Sequence, residues 1–447
     1  MKSVFAAAVA LFALAAPAAS APPQVCAACI EANMERLAGD DFRGRACGTA
    51  DENAAARFIA DRLEAYRIPG GAAHGGYLQR VEIHSPSYAA PPVLDVGGVR
   101  LVHGEDMIVM RAPESLSAPL ALVGPGETAP GRIALMTGPV DSKTAAAALA
   151  GGAVGVIAEA LPKYLAVWGQ LAERPPRGTV IVGVEPAASP PPDKAMIFVR
   201  PEAIAALRAA IGAQATLTAK RGAPSVRTTY NVLGVLHGTA PDADAHAVLL
   251  SAHYDHIGVR DGVIYPGAND DASGTAAVLE FARMLASGKP PKRTVQFALF
   301  GCEEEGGHGA KYFLAHPPIP LENLAANLQF EMIGVPDPDD RKALMLTGWE
   351  RSNLGPVLRA QGASIGPDRY PQENFFQRSD NYQLARQGVV AQTISAWPVP
   401  PTYHQPTDDL EHLDMPFMIE VIQSLAGPIA WLANSDFRPE WNPGMQP

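Results

Sequence analysis

The residues able to do chemistry in this chain sit at the ends of apolar runs. His253 and Asp255 close AVLLSAHYDH, and Asp270 and Asp271 stand together in GANDDASG, just ahead of an Ala-rich segment. Glu303 and Glu304 follow RTVQFALFGC, Glu331 follows ANLQF, and His404 lies in PTYHQPTDDL. Taken one at a time, a histidine or glutamate at a strand end is usually a surface residue or a helix cap. Together, two imidazoles and several carboxylates form a nitrogen and oxygen donor set suited to zinc or a similar divalent ion, with no thiolate needed. Two adjacent ionised aspartates repel each other unless a cation lies close by, and one carboxylate shared between two cations answers that repulsion. Two ions roughly 3.5 to 4 Å apart can clamp an attacking hydroxide and the carbonyl oxygen of a scissile amide. The chemistry implied is hydrolysis.

Such residues must be gathered by a scaffold. From Asn231 the chain alternates apolar strands with helices: NVLGVL, AVLLSAHYD, SGTAAVLEFARMLAS, RTVQFALFG, ANLQFEMIG, VVAQTISAW and a final amphipathic MPFMIEVIQSLAGPIAWLAN. Strands this apolar, separated by helices, predict an α/β fold whose sheet is covered on both faces and is parallel in part. Ligands in such folds gather beyond the carboxyl ends of the strands, where the polar residues fall. Nearer the start, IEANMERLAGDDFRGRACGT and NAAARFIADRLEAYRI read as helices, the second with Ala55, Ile59, Leu63 and Tyr66 at helical spacing. From about Val93 short apolar runs are broken by Gly and Pro, including the loop ASPPPDK at 187–193, which predicts a small separate domain of strands and a helix over 93–223.

A chain of 447 residues holds more than one folded unit, and two is the first expectation. Its formal charge of −11 and the lack of any basic run argue against nucleic acid or an anionic membrane as partner. Residues 1–21, with Lys2, an apolar run from Val4 to Ala16 and small residues at Ala19, Ser20 and Ala21, read as a secretory signal peptide, so the mature chain is expected to be exported, periplasmic or extracellular. No later stretch reaches the ~18 uninterrupted apolar residues of a membrane span. Cys26, Cys29 and Cys47 cluster near the new N-terminus, and one structural disulfide among them is expected, its pairing open. Cys302 lies far away in an apolar strand. A redox CxxC or half a zinc site lacks the supporting context.

In this order, HYDH, GANDDASG, EEEGGHGA, NLQFEMIG, QRSDNYQLARQG and TYHQPTDD resemble the motif series of the co-catalytic zinc aminopeptidase family. That family also contains secreted bacterial leucine aminopeptidases, glutamate carboxypeptidase II, glutaminyl cyclases and the non-catalytic transferrin receptor. The resemblance runs from about Leu37 to the final helix. It implies a three-layer αβα, phosphorylase/hydrolase-like zinc exopeptidase domain with a mixed sheet, formed by 22–92 and 224–440 and followed by a tail at 441–447. The segment from RIALMTGPVDS to GGAVGVIAEA resembles, more weakly, the protease-associated domain that many members insert, here as a lid or spacer.

The same resemblance implies two zinc ions, one bound by His253 and the other by His404, with Asp270 bridging them and Glu304 and Glu331 completing one site each. Glu303 would be the general base, Asp255 the carboxylate that fixes the His253 ring, and Tyr403 the group aimed at the tetrahedral oxyanion. A cis peptide between Asp270 and Asp271 is also implied. The chain departs from the family pattern at Glu331, where Asp is more usual, and at His308, Asn381 and Gln383. The leading expectation is an aminopeptidase that releases N-terminal, apolar residues from peptides. A carboxypeptidase or dipeptidase would need arginines over the substrate carboxylate, for which Arg378 and Arg386 are the nearest candidates. A glutaminyl cyclase uses one zinc and does not need both histidines, and a receptor-like binding protein would have lost ligands. Phe375, Phe376 and Trp397 are candidate pocket residues.

Overall fold

The computed structural model describes residues 23–124, 126–173, 181–183 and 192–447. The expected signal peptide and most of the loop 187–193 lie outside these described residues. The half of the chain that carries the candidate site builds a nine-stranded sheet. Its spatial order is Ile365–Pro367, Leu344–Leu346, Ala391–Ser395, Leu324–Phe330, Ala247–His253, Val295–Phe300, Ser225–Leu236, Leu78–Ser85 and Ile181–Val182. The four strands from Ala391–Ser395 to Val295–Phe300 in that order run parallel. Their outer neighbours, Leu344–Leu346 on one side and Ser225–Leu236 on the other, are antiparallel to them. The sheet is therefore mixed, with a parallel centre.

Every residue of Ala247–His253, Val295–Phe300 and Leu324–Phe330 is buried, which is why these strands are mostly apolar instead of alternating, with Ser251, Gln296, Asn327 and Gln329 as buried polar exceptions. Successive side chains still go to opposite faces. Val248, Leu250 and Ala252 join a core with the helices Ala27–Leu37, Ala50–Ala65, Gly274–Ser287 and Met415–Asn434. Ala247 and Leu249 join a second core with His308–Ala315 and Asn381–Ala385. The result is three layers, helix, sheet and helix. Gly274–Ser287 is buried on most of its surface because it lies between the sheet and the outer helices. Met415–Asn434 is long and apolar enough to cross a bilayer by length and composition, and half of it is buried here.

Residues 93–218 form a second sheet of eight strands, ordered Val99–Val102, Val93–Val96, Gln214–Thr218, Ser115–Val123, Ile133–Met136, Gly155–Glu159, Ala195–Val199 and Met107–Arg111. It has apolar clusters of its own on both faces. Helix Ser142–Ala150 is capped by Asp141, which accepts the Thr144 N–H at 2.8 Å. From the same stretch of chain, Ile181–Val182 reaches out and pairs with Leu78–Ser85 of the large sheet. The last residues also dock: Trp441 donates its indole N–H to the Gly388 carbonyl at 3.0 Å.

One expectation is corrected and another, the single disulfide among the first three cysteines, is met by Cys26–Cys29 and exceeded by a second bond. The first helix ends at Leu37; a 3-10 turn, Asp40–Phe42, follows, and Arg43 and Arg45 adopt left-handed φ of 43° and 52°. Arg45, beyond the turn, sends its side chain into the interior. The second helix, Ala50–Ala65, starts cleanly because Thr49 accepts the Glu52 N–H at 3.2 Å while Glu52 accepts the Gly48 N–H at 2.6 Å. The cysteines form two disulfides, Cys26–Cys29 and Cys47–Cys302. Cys302 is distant in sequence yet lies just past the end of a central strand, where the segment after Arg45 runs alongside it, held by a bridge between Ala46 and His256.

Candidate metal centre and active site

The carboxyl ends of the four parallel strands bring the ligand candidates together. His253 is the last residue of its strand, and its carbonyl accepts the Thr275 hydroxyl of the following helix at 2.8 Å. Its Nε2 lies 3.3 Å from Asp270 Oδ1. His404, from the loop after Ala391–Ser395, places Nε2 at 3.3 Å from Asp270 Oδ2 and 3.1 Å from Glu304 Oε2. Asp270 thus turns one oxygen toward each imidazole. Two groups of donor atoms result, each with all members within 4.8 Å of one another: His253, Asp270 and Glu331, and His256, Asp270 and Glu304.

The neighbouring aspartates of GANDDASG serve different partners. Asp270 faces the imidazoles, and the peptide between it and Asp271 is cis. Asp271 faces backbone, accepting N–H groups of Gly274 at 2.9 Å and Met332 at 3.1 Å. Asp408, from PTYHQPTDDL, grips the loop from the other side by accepting the N–H groups of Asn269 at 2.8 Å and Asp270 at 3.1 Å. Arg45 locks the same loop from beneath. It is wholly buried, and its guanidinium donates to the carbonyls of Tyr254, Leu37, Pro266 and Gly267. Burial lowers its pKa to about 10 against the pull of nearby aspartates, so it stays charged.

The carboxylate of Asp255 accepts the backbone N–H groups of Glu303 and Glu304 at 2.8 and 3.2 Å. Its Oδ1 lies 3.6 Å from His253 Nδ1, and that nitrogen sits nearer the Asp255 carbonyl, at 3.2 Å. Asp255 therefore holds the turn that presents both glutamates as well as flanking the histidine. Tyr403 stacks on His404 with ring centroids 4.0 Å apart. Burial and the charges of Asp270 and Glu304 raise its phenol, which keeps the hydroxyl protonated.

The electrostatics argue for a cation at this place. Burial and neighbouring carboxylates push Glu303 well above the usual range, and Glu331 is raised by burial to about 7 despite the nearby His253. Burial opposes the charge on His404, but hydrogen bonds to Asp270 and Glu304 prevail and raise it to about 9. His253 Nε2, Glu304 Oε1 and Glu331 Oε2 are buried without a hydrogen-bond partner among the described residues. Orphaned donor atoms amid excess negative charge fit divalent ions, whose charge would reverse these shifts.

Sequence reasoning missed four buried residues around this centre: His256, Arg45, Asp408 and Asp380. Both Asp380 oxygens lack a partner among the described residues, and burial raises its carboxyl to about 8. HYDH and PTDD were visible as motifs, but nothing in their spacing separates a structural polar residue from a ligand.

Beside Glu331 and Tyr403 opens a hollow with about 400 Å³ of empty space that merges with solvent. Met332, Met345 and Phe375 give it apolar surface, and Arg378 stands at its wall. Phe376 is turned into the core instead, and Trp397 does not line the hollow. Asn381 is spent on the fold, donating to the carbonyls of Phe376 and Ala391. Arg386 is exposed, and Gln383 half-buried.

Residues 231–427 match peptidase family M28. The probable lipoprotein aminopeptidase LpqL of Mycobacterium tuberculosis is 29% identical over 217 residues, 42% of either chain. Aminopeptidase YwaD of Bacillus subtilis is 28% identical over 226 residues, 46% of this chain and 45% of its own. The chain therefore spans less than half the length of these curated relatives. Among solved structures, the aminopeptidase from Aneurinibacillus sp. strain AM-1 is similar in fold with a TM-score of 0.60 at 21% identity, over 93% of this chain and 96% of that one. BSAP, a zinc aminopeptidase from Bacillus subtilis, gives 0.59 at 21% identity, over 92% and 96%. Every converging residue from His253 to His404 lies inside the stretch that matches peptidase family M28.

Proposed function

We propose that this protein is an exported, zinc-dependent aminopeptidase that holds two zinc ions and releases apolar residues from the N-termini of peptides. One observation carries the reading: His253, Asp270, Glu304, Glu331 and His404 converge at the ends of the parallel strands, beside Glu303, with donor atoms left unpaired. Asp270 would be shared, His253 and Glu331 would hold one ion, and Glu304 and His404 the other. When bound, the pair supplies a water of lowered pKa and polarises the scissile carbonyl.

The chain's own groups do the rest. Glu303 takes a proton from the attacking water and delivers it to the departing amine nitrogen, and the Asp255 carboxylate keeps its backbone in place for both transfers. Tyr403, held protonated and stacked on His404, donates its hydroxyl to the oxyanion as the carbonyl becomes tetrahedral. The hollow beside Glu331 receives the side chain of the first residue, and Met332, Met345 and Phe375 favour an apolar one. The insert at 93–223, read as a protease-associated domain, serves as a lid or spacer.

A carboxypeptidase is less well supported, because Arg378 is the one arginine at the hollow among the described residues and it also lies over the Phe375 ring, 4.8 Å from its centroid. Hydrolysis of amino-acid amides, N-acetylated peptides and carboxyl-blocked peptides by the purified protein separates the readings. Cleavage that needs a free N-terminus and tolerates a blocked C-terminus is expected. Cleavage that needs a free C-terminus would overturn it.

A further inference from the structure

We infer that His256 is a ligand of the cation on the Glu304 side of the site, so that this side has two imidazoles while the His253 and Glu331 side has one. The ring is 1% exposed. Its Nδ1 lies 2.8 Å from Glu304 Oε1 and 3.9 Å from Asp270 Oδ2. His404 approaches the other Glu304 oxygen and the same Asp270 oxygen. The two rings, with centroids 5.6 Å apart and planes at 76°, thus converge on one pair of carboxylates from different directions.

The short approach to Glu304 has the distance of a hydrogen bond but is poorly aligned for one. Neither nitrogen of His256 has a hydrogen-bond partner among the described residues, and Glu304 Oε1 has none either. A buried imidazole kept for packing normally donates one N–H to a carbonyl or carboxylate, because an unpaired buried polar atom is costly. A ring nitrogen and a carboxylate oxygen close together, misaligned for a proton and both unpaired, suit a cation bound by both lone pairs.

The fold makes room for this ring. Gly267 stands opposite it at φ 62°, and a Cβ there would come within 2.4 Å of His256 Cγ. The His256 backbone is tied down, its N–H donating to the carbonyl of the buried Arg45 at 3.3 Å. The seat is therefore rigid on both sides.

The consequence is an unequal pair of sites. Two imidazoles and two carboxylates complete a four-donor set for one ion, whereas the other has one imidazole and two carboxylates and more open positions. The nitrogen-rich side is expected to bind zinc and other late divalent ions more tightly and to release them last.

This rests on the two-ion reading of the site, and the experiment separates the two. Metal-free protein is titrated with Co²⁺ and with Zn²⁺, following ions per chain by equilibrium dialysis with elemental analysis, and the visible cobalt spectrum. The parent, H256A and H256Q are compared, with circular dichroism confirming the fold of each. Expected are two ions per chain in the parent with unequal affinities, a loss of at least tenfold at the tighter site in both variants, and weakened cobalt bands. Parental affinity and spectrum in both variants would overturn the inference alone. So would full restoration by H256Q, whose amide can hydrogen-bond Glu304 and so mimic a purely positioning role. Fewer than two ions in the parent would overturn the two-ion reading and this inference together.

Discussion

The carboxylate of Asp255 accepts the backbone N–H of Glu303 at 2.8 Å, which ties the end of one central strand to the turn after its neighbour. The aspartate so often regarded as a partner of a histidine ring here governs the glutamate turn as well. Asp255→Asn preserves size but can present an N–H₂ group where two N–H donors need an acceptor. Turnover and metal affinity are expected to fall by about 10 to 100-fold, as for groups that orient metal ligands. Unchanged kinetics in a folded variant would show that the turn holds its own shape.

Glu303 and Glu304 are adjacent and identical but should fail differently. Glu304→Ala removes a donor to the His404 side and is expected to lower metal occupancy. Glu303→Gln keeps the shape and both ions while losing the proton carrier, with a loss in turnover of about 100 to 10,000-fold. Metal content, turnover and inhibitor affinity measured side by side decide the matter. Loss of zinc from Glu303→Gln, or turnover within a few-fold of the parent, would move the base elsewhere.

The two disulfides should differ greatly in their worth. Cys47–Cys302 spans 255 residues and Cys26–Cys29 spans 3. A cross-link constrains the unfolded chain more as its loop grows, so replacing Cys47 and Cys302 together by serine is expected to cost about 2 to 5 kcal/mol. Replacing Cys26 and Cys29 should cost much less. Urea unfolding of the two double variants gives the comparison, and equal losses would refute it.

His308 provides a pH test outside the proposed ligand set. Burial, with help from Lys311, lowers its pKa from 6.5 to about 4, so the folded state prefers the neutral ring. The unfolded chain binds the proton first. Its contribution is therefore fully present above pH 6.5 and is lost as pH falls toward 4, by about 1.4 kcal/mol for each pH unit crossed. His308→Gln should flatten the stability profile in that window relative to the parent. Parallel profiles for the two proteins would show that the ring titrates normally.

The parallel centre of the sheet and the convergence of His253, Asp270, Glu304, Glu331 and His404 were legible because fully buried strands leave continuous apolar runs with polar residues at their ends. What the sequence concealed depends on contacts between distant segments. Cys302 looked isolated because distance along the chain says nothing about which loops meet beyond a strand end. Arg45 looked like part of a surface helix, since an arginine that satisfies four carbonyls has no local signature. His256 was hidden in plain view within HYDH: one residue beyond Asp255, it turns inward only because Gly267 leaves it space.

The bond between Cys47 and Cys302 also sets the chain's topology. All of the second sheet, from Val93 to Thr218, lies inside the ring that this bond closes, together with His253 and Asp270, while Glu304, Glu331 and His404 lie outside it. A single cut in the insert therefore opens the ring without separating the pieces. The N-terminal fragment, carrying Arg45 and its grip on the Asp270 loop, stays covalently attached to the fragment that carries the candidate ligands. Such a nicked molecule would run as one species on a non-reducing denaturing gel and as two after reduction.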